Sequence, residues 1–230
     1  IRSLGIMCIK KLLMEKIMVQ NQSNAIEKYI SDSLTESLKT PNIHKTNETL
    51  KIQMVGIIGA GTMGGGIAMN FANVGIRVKI VEVDKIKLKE GLNRIRENYQ
   101  RSADKGRFPQ SEVENRMGFI EGSTALEELA ICDLIIEAVF ENIEIKKEIF
   151  SKLQRIAKPS SILATNTSGL DIDSIANMTD RPEDIVGLHF FSPANVMKLL
   201  EIVQAKQTSS RVIKICMELA QKINKIPVLV

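Results

Sequence analysis

Short apolar runs alternate with longer stretches in which apolar residues recur every three or four positions, from Ile52 to the end of the chain. The runs at 52–58, 76–81, 119–120, 133–139, 162–165, 185–188, 198–203 and 227–230 read as strands, since they are short, β-branched and bounded by polar or turn residues. The intervening segments 63–73, 85–107, 126–130, 143–157, 172–176 and 209–222 carry helical spacing. The run at 133–139 is almost unbroken in its apolar character, as expected of a parallel strand covered on both faces. Strands that alternate with helices predict an α/β fold, a Rossmann-type doubly wound and mostly parallel sheet. In such a sheet ligands bind beyond the carboxyl ends of the strands, so 140–142 and 166–168 are expected to line one crevice with whatever follows the first strand.

Residues 1–50 follow a different pattern. Ile6, Ile9, Leu13 and Ile17 fall near helical spacing, and Lys10, Lys11, Glu15 and Lys16 break the apolar stretch well short of the roughly 20 residues a membrane span needs. An amphipathic helix is expected there, with a basic targeting segment as the alternative. From Asn21 to Thr49 the composition turns to Ser, Asn, Thr, Lys and Glu with one Pro41, the profile of a linker in which His44 is a solvated side chain. The domain reading is therefore a helical extension and linker over 1–50, then a dinucleotide-binding domain over 51–230. The chain opens on Ile1 and closes on a run that reads as a strand stopped in mid-course, so a fragment of a longer protein is expected.

Composition narrows the chemistry. A hydrophobic share of 44% and a charged share of 25% are those of a globular chain with a buried core. The net charge of +4 suits anionic ligands without any dense basic block that would call for nucleic acid. Cys8, Cys132 and Cys216 lack the spacing of a zinc site or a disulfide framework, and two histidines cannot build a histidine metal centre. No metal is expected.

The chemistry-bearing motif follows the first strand. Gly59, Gly61 and Gly64 fit G-x-G-x-x-G, with Thr62 and Met63 inside it, at a strand-to-helix turn. Such a turn presents unpaired N–H groups and the positive end of the helix dipole to a pyrophosphate. Glu82 closes the second strand, where a carboxylate accepts hydrogen bonds from the adenosine ribose hydroxyls and repels a 2′-phosphate. That spacing predicts NAD as the cofactor, with Asp84 the competing candidate. Downstream, His189 ends one strand and Glu201 lies on the next. Oxidation of a secondary alcohol needs a base near neutrality, and a carboxylate on the far nitrogen of an imidazole fixes its tautomer and stabilises its charged form. A satisfied structural histidine is equally compatible with that position.

Together, Asn166-Thr167-Ser168, His189-Phe190-Phe191-Ser192-Pro193 and Val196-Met197-Lys198-Leu199-Leu200-Glu201 resemble the NAD-binding domain of the 3-hydroxyacyl-CoA dehydrogenases, in particular those of peroxisomal-type multifunctional β-oxidation enzymes. The resemblance runs from about Ile52 to Val230. It implies His189 as catalytic base with Glu201 as its partner, Ser168 on the substrate's 3-oxygen, and Glu141, Lys146 and Asn166 beside cofactor or substrate. The implied reaction is NAD-dependent oxidation of an L-3-hydroxyacyl-CoA to the 3-oxoacyl-CoA in fatty acid β-oxidation, in a peroxisome or mitochondrion. It also implies a further catalytic Asn and a C-terminal helical domain, both missing from this chain, and a parent that is a homodimer or is fused to an enoyl-CoA hydratase domain. Slow turnover of the isolated chain follows. The alternatives are a non-catalytic NAD(H)-binding or crystallin-like relative, and a dehydrogenase of free hydroxy acids.

Overall fold

The computed structural model describes residues 51–230; the expected helix and linker of the extension, with His44, lie outside the described residues. The described chain runs β1 (Met54–Ile58), α1 (Thr62–Ala72), β2 (Arg77–Val81), α2 (Lys85–Asp104), α3 (Ser111–Met117) and β3 (Ile120–Ser123). A 3₁₀ turn (Leu126–Ile131), β4 (Leu134–Glu137), α4 (Ile143–Ile156), β5 (Ile162–Thr165) and α5 (Ile172–Ala176) follow. After a second 3₁₀ turn (Pro182–Asp184) come β6 (Ile185–Phe190), β7 (Leu199–Val203), α6 (Ser210–Lys222) and β8 (Ile226–Leu229).

The strands form one sheet in the order β3-β2-β1-β4-β5-β6-β7-β8. All pairings are parallel except β6 with β7. Both faces are covered, and the alternation within each strand shows it. In β4, Leu134 and Ile136 join a core with Ile67, Phe71, Ile95 and Tyr99 of α1 and α2. Ile135, between them, joins Phe150 and Leu153 of α4 and Ile175 of α5 on the opposite side. A strand buried at every position, as β4 is, is what a doubly wound sheet requires.

Three elements depart from the expectation, the first being the helix expected over 126–130, which is a 3₁₀ turn. The helix predicted over 85–107 ends at Asp104, and Gly106 takes a left-handed φ of 69°. A separate helix, α3, follows; the pattern did not reveal it because only Val113 of its residues is buried. The β1–α1–β2 unit sits as expected, with Gly75 at φ 72° making the turn out of α1.

Candidate functional site

The loop from β1 to α1 is shaped by contacts that only glycine allows. Gly59 has φ 103° and its N–H donates to Val81 O at 2.8 Å, which closes the turn against β2. A Cβ on Gly64 would stand 1.9 Å from Gly59 O, so helix and loop touch backbone to backbone. Gly61 caps α1 with extended backbone, and a Cβ there would meet nothing within 4 Å. That leaves its backbone open to close approach by a ligand. Gly61 and Thr62 are exposed, Met63 is partly so, and the first turn of α1 has no acidic residue to compete for its N–H groups. These features fit a dinucleotide pyrophosphate.

Glu82, half-buried at the end of β2, turns its carboxylate to the same loop: Oε2 accepts from Ala60 N and Oε1 from Asp84 N, each at 3.3 Å. Asp84 is committed elsewhere. Its side chain caps α2 by accepting from Ile86 N at 2.8 Å and Lys87 N at 3.1 Å, and those backbone bonds hold its carboxyl below the usual range.

His189 and Glu201 are directly opposite each other in the antiparallel β6–β7 pair. Cross-strand partners share a face, and His189 Nδ1 lies 2.8 Å from Glu201 Oε2. Both side chains are largely sheltered, at 17% and 9% exposure. A carboxylate on Nδ1 assigns the ring proton there and leaves Nε2 as the nitrogen that can exchange a proton with a substrate. Asn166, just after β5, accepts Phe190 N at 2.8 Å through Oδ1, fastening the strand end that carries His189 to the 166–168 turn.

Ser168 is exposed on that turn, with its N–H 3.1 Å and its hydroxyl 3.5 Å from Glu141 Oε1, which also accepts from Thr167 Oγ1. Burial pushes the Glu141 carboxyl up, but the bonds from Thr167 and Ser168 and the charge of Lys146 outweigh it and hold it below the usual range. Lys146 itself is fully buried on α4: Nζ lies 2.8 Å from both oxygens of buried Glu137 and 3.4 Å from Glu141 Oε2. It therefore acts on the crevice through Glu141 rather than by direct exposure.

The charge-rich helix α2 turns one of its sides to a cavity. Gly91, Arg94, Asn98 and Arg101, at helical spacing, line a cavity of about 230 Å³ whose opposite wall includes Gly61, Thr62, Pro193 and Asn195. Gly91 makes this closeness possible, since a Cβ there would stand 2.3 Å from Ala60 O. The recurrence of Arg, Asn and Arg on one helical face was the available signal.

Lys225 was also missed. It is 6% exposed, and burial, reinforced by the charge of Lys198, pulls its pKa from 10.5 to about 8. Between those values the unfolded chain keeps a proton that the folded chain has shed, so this group makes stability rise with pH across the window. The melting temperature of the wild type is thus expected to rise relative to that of Lys225→Met from pH 8 to 10.5. A difference that stays flat contradicts the burial of the charge. Other groups offer less: Cys132 and Cys216 are buried, which pushes both thiols up to about 12, and no cluster of metal-ligating side chains occurs among the described residues. No helix among them is long and apolar enough to cross a membrane.

Residues 54–230 match the family described as 3-hydroxyacyl-CoA dehydrogenase, NAD binding domain. The chain is 43% identical over 187 residues to the peroxisomal bifunctional enzyme of Cavia porcellus, covering 81% of this chain and 26% of that protein. It is 39% identical over 176 residues to the probable 3-hydroxybutyryl-CoA dehydrogenase of Bacillus subtilis, covering 76% of this chain and 61% of that one. The crystal structure of 3-hydroxybutyryl-CoA dehydrogenase from Escherichia coli K12 superposes with a TM-score of 0.77 at 36% identity, over 78% of this chain and 38% of that one. The chain spans 25% to 30% of the length of the peroxisomal bifunctional enzymes it matches.

Proposed function

The chain belongs to the 3-hydroxyacyl-CoA dehydrogenase family through its NAD-binding domain, and on that premise we propose that it takes part in NAD-dependent oxidation of L-3-hydroxyacyl-CoA to 3-oxoacyl-CoA. The observation that carries this reading is the His189–Glu201 pair, 2.8 Å apart at the carboxyl edge of the sheet that also bears the glycine loop. NAD, when bound, supplies the hydride acceptor. The chain's own residues do the rest. His189 takes the hydroxyl proton at Nε2 while Glu201, on Nδ1, stabilises the imidazolium that forms. Ser168 donates to the 3-oxygen and so opposes its departure from alignment, with Glu141 holding the turn on which Ser168 stands. Arg94 and Arg101 place positive charge along a cavity wall beside the glycine loop, which suits the phosphates of a CoA thioester. The peroxisomal names of several relatives favour a peroxisomal setting over a mitochondrial one, and their bifunctional character favours a parent that also carries a hydratase.

The substrate class is tested by comparing acetoacetyl-CoA with free acetoacetate as oxidants of NADH. The thioester alone is expected to react. Oxidation by the free acid with none by the thioester overturns the CoA assignment.

The cofactor preference rests on Glu82. Glu82→Ala is expected to weaken NADH binding by about 1.5–3 kcal/mol, the usual worth of a hydrogen bond to a charged group, and to narrow the gap between NADH and NADPH. Unchanged affinity for both in a fluorescence titration would remove Glu82 from the ribose site.

A further inference from the structure

The loop between β6 and β7 leads from His189 back to Glu201, and it is held from two sides through one carbonyl. Ala194 O accepts from Lys225 Nζ at 2.6 Å and from Asn70 Nδ2 at 3.0 Å. Lys225 Nζ also reaches Met197 O at 2.6 Å, so a single ammonium ties two points of the same loop. The turn between them is closed by Val196 N and Met197 N, both bonded to Pro193 O. On the other side, Asn70 belongs to α1, the dinucleotide helix, and its bond to Gly66 O at 2.9 Å fixes the direction of its amide. Gly66 packs on the same spot, since a Cβ there would stand 3.0 Å from the Ala194 Cβ.

Lys225 and Asn70 are 6% and 5% exposed, and neither lines the cavity beside the glycine loop. A buried ammonium is costly, and its lowered pKa registers that cost. An apolar side chain would fill the space without it. What the ammonium adds is direction, because charge-assisted bonds to two carbonyls specify where the loop lies.

We propose that Lys225 and Asn70 are positioning residues: by sharing the Ala194 carbonyl they set the separation between the dinucleotide helix and the His189–Glu201 pair, and with it the alignment of the imidazole on the bound cofactor. The functional meaning of that alignment rests on His189 being the base; the tie itself does not.

The chain has two histidines, so ¹³C-histidine labelling of the whole chain gives two resonances, and His189→Gln identifies the one that matters. In the NADH complex, Lys225→Met and Asn70→Leu are each expected to displace the His189 Cε1–H resonance while NADH remains bound. Lys225→Arg keeps a charged donor and is expected to restore more than half of that displacement. A wild-type resonance in either Lys225→Met or Asn70→Leu overturns the proposal, as does a Lys225→Arg protein that restores less than half. If Lys225→Met does not fold, Asn70→Leu and a wild-type-like resonance in Lys225→Arg decide by the same criteria. The resonance is read without turnover, so the two readings fail separately: an active His189→Gln protein in a rate assay would remove the base role while leaving the tie intact, and an unmoved resonance would do the reverse.

Discussion

Replacing His189 by glutamine is expected to lower turnover by about 10²- to 10⁴-fold, the range that removal of a general base typically costs. NADH affinity should stay near that of the wild type. The expectation follows from geometry: Glu201 engages Nδ1 at 2.8 Å, so the imidazole is oriented from behind and offers Nε2 forward. Glutamine keeps much of the volume and polarity but has no basic nitrogen. Steady-state rates and a binding titration on the same preparation check both parts. A parallel loss of affinity and rate would make the residue structural, and an unchanged rate would remove it from the chemistry.

The second large effect is expected at Gly64. Alanine there would place a Cβ 1.9 Å from Gly59 O, a backbone atom that cannot rotate away, so the loop must move. Moving it breaks the turn that Gly59 N makes with Val81 O. A strained packing defect of this kind costs about 1–3 kcal/mol of stability. NADH affinity is expected to fall at least about tenfold, equivalent to about 1.4 kcal/mol. Gly61→Ala is the informative contrast. Its φ of −70° admits alanine and its Cβ would meet nothing within 4 Å of the protein, so the melting temperature should hold. The added methyl group would occupy the open cradle, and NADH should bind more weakly all the same. Equal affinity in Gly61→Ala and wild type would place the pyrophosphate elsewhere.

The fold was legible because the signals that specify it are local. Strands β4 and β5 are apolar on both faces up to their last residues, and the helices between strands carry their own spacing. Helix α3 was not legible, because a helix with one buried residue has almost no periodic signature. The meeting of His189 with Glu201 could be read from two polar residues at facing strand positions flanking a turn. The roles of Asn70, Gly91 and Lys225 could not. Each depends on a backbone oxygen brought close by the tertiary fold: Ala194 O, 124 residues from Asn70 and 31 from Lys225, and Ala60 O against Gly91. A carbonyl leaves no mark in the side-chain pattern. Arg94 and Arg101 were visible, but charge on a helix reads as solvated until the opposite wall of the cavity is known.

The assignment of His189 as the base is tested most directly by the oxidation of NADH with acetoacetyl-CoA, followed by loss of nicotinamide absorbance for the wild type and His189→Gln side by side. It predicts thioester-dependent oxidation of NADH that the substitution reduces by about 10²-fold or more. Bound NADH that the thioester never oxidises, or oxidation that proceeds equally without His189, would contradict it.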